Sequence, residues 1–147
     1  MPLGTFRLIY RSRSLIPQSE RRVALGDIFS VARPNNKRQK ITGALLLTDD
    51  WFVQALEGDE TAVRGLLAHI EQDPRHDSIS LLEAGDVPAR VFSWWAMAKV
   101  AEDGEPDIQL IANTRGAAVA ADRGTTSEQE RVLEIMRDAA RGDAQAR

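Results

Sequence analysis

Ile41-Thr42-Gly43-Ala44-Leu45-Leu46-Leu47-Thr48-Asp49-Asp50-Trp51-Phe52-Val53-Gln54-Ala55-Leu56-Glu57-Gly58 reads as two strands joined by a tight polar turn. The first is a short, nearly continuous apolar run, as expected of a central strand. The second alternates. Phe52, Gln54 and Leu56 share one face, and Trp51, Val53 and Ala55 share the other. Gln54 therefore points with two hydrophobes into a core. Leaving a buried carboxamide unpaired costs about 1–3 kcal/mol, so either the fold or a bound ligand must satisfy its donors and acceptor.

Upstream of this pair, Phe6 to Ser12 alternates as a strand, with Phe6, Leu8 and Tyr10 on one face and Arg7, Ile9 and Arg11 on the other. Tyr10 is the only tyrosine. After the loop Leu15–Gln18, Ser19 is the expected N-cap of a helix whose apolar stripe is Leu25, Ile28, Phe29 and Ala32. Pro34 is expected to end that helix, leaving Asn35 to Lys40 as a polar loop. Downstream, Gly58-Asp59 breaks the strand, and Val63, Leu66, Leu67 and Ile70 mark a second helix that ends near Asp73 to Asp77. Ile79 to Ala84 and Trp94 to Val100 read as fourth and fifth strands, and alternation puts Trp95 and Met97 together, away from Trp94. The order β-α-β-β-α-β-β is α+β and ferredoxin-like with one added strand, both helices covering one face.

The other face would carry Ile9, Val53, Trp94 and Val100, too apolar to leave bare. After Val100 the composition shifts. Glu102 to Asp107 is an acidic linker, Ile108 to Ile111 a short helix, and Arg115 to Gly124 irregular. Ser127 and Glu130 have capping-box spacing. Val132, Ile135, Met136 and Ala139 form the stripe of a last helix that Gly142 closes. Residues 1–101 are thus read as the functional domain, and 102–147 as a linker and helical extension lying over the second face.

Composition narrows the function classes. The 147 residues suit one domain, and the net charge of −3 gives no bulk attraction to nucleic acid or to an anionic membrane. No cysteine is present, which removes disulfides, thiolate metal sites and cysteinyl-flavin links and fits a reducing cytoplasm. No apolar run approaches the roughly 20 residues of a membrane helix, and no signal peptide is read at the N-terminus. His69 and His76 lack metal-ligand spacing. His69 is read as solvated, and Arg11, Arg13, Arg21 and Arg22 as a solvated charge run.

Several side chains converge beside Gln54. Tyr10 shares its face from a strand that can be its neighbour. Ile28 and Ile70 face each other from the two helices and would grip a planar heterocycle, whose polar edge Asn36 and Gln54 could hydrogen-bond. Trp95 and Met97 lie on the last strand, and Arg75 and His76 could meet a phosphate at the mouth. No nucleophile–base pair, carboxylate dyad or metal cluster accompanies them.

These residues carry a resemblance. Leu8-Ile9-Tyr10-Arg11-Ser12, Asn35-Asn36 with Ile41-Thr42-Gly43, Phe52 to Gly58, Asp73-Pro74-Arg75-His76 and Phe92 to Met97 follow in order, and together they resemble the BLUF family of FAD-using blue-light receptors. The match runs from Phe6 to about Val100. The resemblance implies non-covalent FAD and a photochemical pair. Tyr10 gives an electron and a proton, and Gln54 relays the proton and then rearranges its hydrogen bonds. It further implies that Asn35 and Asn36 lie at the flavin's polar edge, that Asp73, Arg75 and His76 sit near the ribityl phosphate, and that Trp95 and Met97 carry the signal. Ala32 stands where the family can carry a hydroxyl.

The expected function is photosensing without a chemical product. The competing readings are a flavin-free ferredoxin-like ligand-binding or protein-interaction module, and a flavoenzyme, which the lack of an acid–base pair disfavours. With a tail too short for a fused enzyme, output is expected to pass to a partner protein in trans or to change homo-oligomerisation, by way of the last strand and the tail.

Overall fold

The computed structural model describes residues 5–48, 50–92, 95–101, 107–109 and 127–141. Its elements run β1 (Thr5–Ser14), a 3-10 turn (Gln18–Glu20), α1 (Arg21–Gln39), β2 (Thr42–Leu47), β3 (Trp51–Gly58), α2 (Glu60–Ile70), β4 (His76–Val87), β5 (Ala98–Ala101), β6 (Ile108–Gln109) and α3 (Ser127–Arg141). The strands form one mixed sheet in the order β4-β1-β3-β2-β5-β6. The first four pair antiparallel in the ferredoxin-like order, and β5 joins parallel to β2, with Ala44 opposite Ala98. The fold is α+β and ferredoxin-like.

Strand alternation divides the core in two. Phe6, Leu8, Tyr10, Leu45, Phe52 and Leu56 pack under α1 and α2 with Phe29, Val63 and Leu67. Ile9, Ala44, Leu46, Val53, Ala55, Ala98 and Val100 pack on the opposite side, against Val132, Leu133, Met136 and Ala139 of α3. The tail helix does cover the second face. Burying each such Val, Leu or Met side chain contributes about 1.5–3 kcal/mol. Arg7, 1% exposed, adds charged bonds from β1 to Glu83 at 2.9 Å and to Glu128 of α3 at 2.6 Å.

Several local expectations are overturned. Pro34 does not end α1, which continues to Gln39, so Asn35 and Asn36 are helical. A proline removes the bond to the carbonyl four residues back, here Ser30, and both residues are exposed, so water can take that carbonyl. The helix ends instead at Lys40 in a left-handed conformation, whose N–H donates to the Asn36 and Lys37 carbonyls. Ser19 lies inside the 3-10 turn, and Glu20 precedes α1 without a side-chain cap. Arg11 is buried, its guanidinium 3.8 Å from the Trp51 ring centroid. The fifth strand begins only at Ala98, so Trp95 and Met97 precede it and part company. Trp95 packs toward the α3 side, whereas Met97 packs in the core beneath α1 and α2. Ile108 belongs to a short strand rather than a helix. Trp94, Gly142 and the stretch Arg115 to Gly124 lie outside the described residues.

Candidate functional site

Tyr10 and Gln54 are direct register partners across β1 and β3. Both side chains face the helix-covered side, and the Tyr10 hydroxyl donates to Gln54 Oε1 at 2.5 Å. Burial pushes the Tyr10 phenol well above its usual value, and the negative charge of Asp73 adds to the shift. The hydroxyl is therefore a proton donor held in its neutral form. The other end of the amide is weakly engaged. Gln54 Nε2 lies 3.4 Å from Met97 Sδ, and a thioether is a poor acceptor.

A cleft opens between α1 and α2 beside Gln54. It encloses about 730 Å³, open solvent at its mouth included, and its lining is mostly apolar with a few polar groups, as in small-molecule sites. Ile28, Ala32 and Leu66 line its walls, Asn36 and Gln54 its floor, and Ile70, Asp73, Arg75 and His76 its outer part. Gln54 lines the cleft and Tyr10 does not. The amide thus stands between the phenol and whatever fills the space.

The helical continuation past Pro34 explains how Asn36 arrives there. Two residues beyond the proline, its buried side chain points inward, and Nδ2 donates to the Ala96 carbonyl at 2.9 Å. That bond uses one of the two Nδ2 hydrogens, leaving the other and the Asn36 oxygen for a ligand in the cleft. Asn35, half-buried, also lines the cleft and accepts from Arg38. Arg75 grips Asp73 through Nε and Nη2, the latter at 2.6 Å. That bond holds the Asp73 carboxyl below the usual carboxylate range and raises Arg75. Arg75 Nη1 takes no part in the pair and is the donor left to face an anion.

His76 departs from the expected role at the mouth. Both its ring nitrogens are engaged internally: Nε2 donates to the Ile70 carbonyl at 2.8 Å, and Nδ1 bonds the buried Ser12 hydroxyl at 2.6 Å. Its ring packs edge-on to Phe52, with centroids 5.8 Å apart. It serves as a wall rather than a free donor.

Sequence reasoning missed Val31, Leu45, Phe52, Leu66 and His69 as lining residues. For Leu66 the signal was its place on the stripe that also carries Ile70. His69 is exposed yet borders the cleft from the next turn. Ser12 and Glu57 were also unremarked. Each is a polar residue in a strand whose two faces are both covered.

The residues present suit a flavin, because a narrow apolar slot with two carboxamides at one edge and a cation at the mouth matches a planar, hydrogen-bonding ring that carries a phosphate tail. Comparison with known proteins points the same way. The family model of sensors of blue light using FAD matches residues 5–98. Over 97 residues the chain is 37% identical to the photoactivated adenylate cyclase subunit beta of Euglena gracilis, covering 65% of this chain and 11% of that protein. It is 32% identical over 134 residues to the blue light- and temperature-regulated antirepressor BluF of Escherichia coli (strain K12), covering 88% of this chain and 31% of the relative. The chain thus spans only a tenth to a third of the length of these relatives. The dark-state structure of BlrB, a BLUF protein, superposes with a TM-score of 0.67 at 30% identity, covering 97% of this chain and 99% of that one. With the cleft, the tyrosine–glutamine pair and the family model all falling within the same stretch, the chain belongs to the BLUF family, the sensors of blue light using FAD.

Proposed function

We propose that this protein binds FAD non-covalently between α1 and α2 and acts as a blue-light receptor in which Tyr10 and Gln54 form the switch. The observation that carries this reading is the buried 2.5 Å bond from Tyr10 to Gln54, with Gln54 alone of the two lining the cleft. FAD, when bound, supplies the absorption of blue light and an excited state that draws an electron. Tyr10 is the donor within reach, and as it is oxidised its hydroxyl becomes strongly acidic. The proton's ready acceptor is Gln54 Oε1. An amide suits this place because it exchanges donor and acceptor ends without a change of charge, whereas a carboxylate would be costly to bury. Turning the Gln54 side chain would present Nε2 to the tyrosine and release the loose contact with Met97. Two arrangements of similar energy are what a switch requires.

In this proposal Ile28 and Ile70 clamp the ring, Asn36 and the neighbouring Asn35 hold its polar edge, and Arg75, positioned by Asp73, faces the phosphate. His76 shapes the wall. The photosensory domain spans residues 1–101, and 102–147 form its extension. The output leaves through Trp95, Met97 and the tail to a partner protein in trans, in the cytoplasm. No helix among the described residues is long and apolar enough to cross a membrane.

Colour tests the reading. Protein reconstituted with FAD should be yellow, and blue light should move its flavin absorption slightly to the red, reversibly in the dark. Tyr10→Phe and Gln54→Leu should stay yellow and lose the shift. Failure to take up FAD would leave a flavin-free binding module, and a normal shift in Tyr10→Phe would overturn the assigned donor.

A further inference from the structure

The buried carboxylate of Glu57 has no part in the switch described above. Glu57 lies on the same strand as Gln54, three residues on and on the opposite face, and is fully buried. Three donors converge on it. Val91 N–H reaches Oε2 at 2.6 Å, while Phe92 N–H and the Thr42 hydroxyl each reach Oε1 at 3.0 Å. The Thr42 oxygen in turn accepts from Arg90 Nη1 at 3.1 Å, which leaves its proton free to point at Glu57. Every bond thus runs toward the two carboxyl oxygens, an arrangement that favours the carboxylate and works against the burial that raises Glu57 above its usual value.

What Glu57 holds leads back to Gln54. The Phe92 carbonyl accepts from Trp95 N–H at 2.9 Å, and the Trp95 carbonyl accepts from Gly43 N–H at 3.0 Å. The Ala96 carbonyl is held by Asn36 and the Met97 carbonyl by Arg33 Nε, at 2.9 and 3.0 Å. Met97 Sδ then meets the Gln54 amide. This circuit of bonds starts and finishes on β3, crossing from one face of the sheet to the other around its edge. Phe92, fully buried, belongs to the α3-side core with Met136, whereas Met97 belongs to the side of the cleft.

We infer that Glu57 is a positioning residue that fixes where Met97 sits against Gln54 and couples that contact, through Phe92, to the core beneath α3. This rests on the switch proposed above and names the route by which its change leaves the pocket. A carboxylate suits the task because two adjacent backbone N–H groups facing one side chain need an acceptor with two oxygens. An amide would turn an NH₂ against one of them.

Methionine supplies the test, since the chain has only Met1, Met97 and Met136. In FAD-loaded protein labelled with ¹³C at the methionine methyl groups, Met97→Leu and Met136→Leu identify two resonances, one on each side of the sheet. Glu57→Gln should displace the Met97 resonance in the dark. In the wild type, light should displace both Met97 and Met136; in Glu57→Gln, the response at Met136 should fall at least threefold while that at Met97 remains. Thr42→Val removes one donor to the carboxylate, keeps the charge, and should change the signals in the same direction by less. It carries the test if Glu57→Gln does not fold. A Met97 resonance unmoved in the dark by either variant, or a Met136 light response of wild-type size in Glu57→Gln, overturns the inference. A wild type that binds FAD but responds to light at neither methionine overturns the switch and the coupling. A dark displacement by Glu57→Gln would then still support the positioning of Met97.

Discussion

At Tyr10 the proposed switch depends on a proton that must stay put until it is asked to move. Burial, with help from Asp73, raises the phenol well above its usual value. Below about pH 10 both folded and unfolded chains keep that proton; above it the unfolded chain ionises and the folded one does not. Stability is therefore lost as pH rises past this point, not as it falls. Because Tyr10 is the only tyrosine, the 295 nm absorbance of tyrosinate reports on it alone. We expect native protein to show no tyrosinate until it unfolds, and Tyr10→Phe to lose less thermal stability than the wild type from about pH 10 upward. A tyrosinate signal at the ordinary phenol value in folded protein would contradict the buried geometry. That Tyr10 and Gln54 face the same side was legible because alternation fixes which face a strand residue takes, and the β1–β3 pairing is unbroken where these two sit. The internal bonds of His76 were not legible because its partners, Ser12 and the Ile70 carbonyl, come from separate elements that only the fold brings together.

Among the elements, β2 and β3 set the tightest constraint. A Cβ built on Gly43 would lie 2.0 Å from the Ala55 carbonyl oxygen, a backbone atom with nowhere to go. Gly43→Ala should cost about 3 kcal/mol or more, read as a lower denaturant midpoint at unchanged slope. It should also loosen Trp95, whose carbonyl Gly43 holds. The sequence-based boundaries failed where they relied on one residue's habit. Pro34 breaks a helix only if the carbonyl it frees cannot be hydrated, and Ser30 is exposed. Trp95 and Met97 broke the alternation rule because no strand exists until Ala98. Ile108 became a strand because β5 offered a parallel edge, a long-range pairing that local pattern does not reveal.

For the molecule as a whole, the sheet is a partition with a filled core on each side. The need for a cover on the second face was plain from Ile9, Val53 and Val100, and α3 supplies it with Val132, Leu133 and Met136 fully buried. Leu133→Ala should cost about 2–5 kcal/mol and raise amide exchange through α3, while FAD affinity stays within about twofold, since no α3 residue lines the cleft. A large loss of FAD affinity would mean that the two cores are not separate. The consequence reaches past this one chain. Side chains of a strand cannot cross their own sheet, so the residues that line the cleft and those that pack beneath α3 are different sets. Substitutions on the outer surface of α3 can then accumulate without touching the lining of the cleft, so the two sides of one sheet are free to change at different rates.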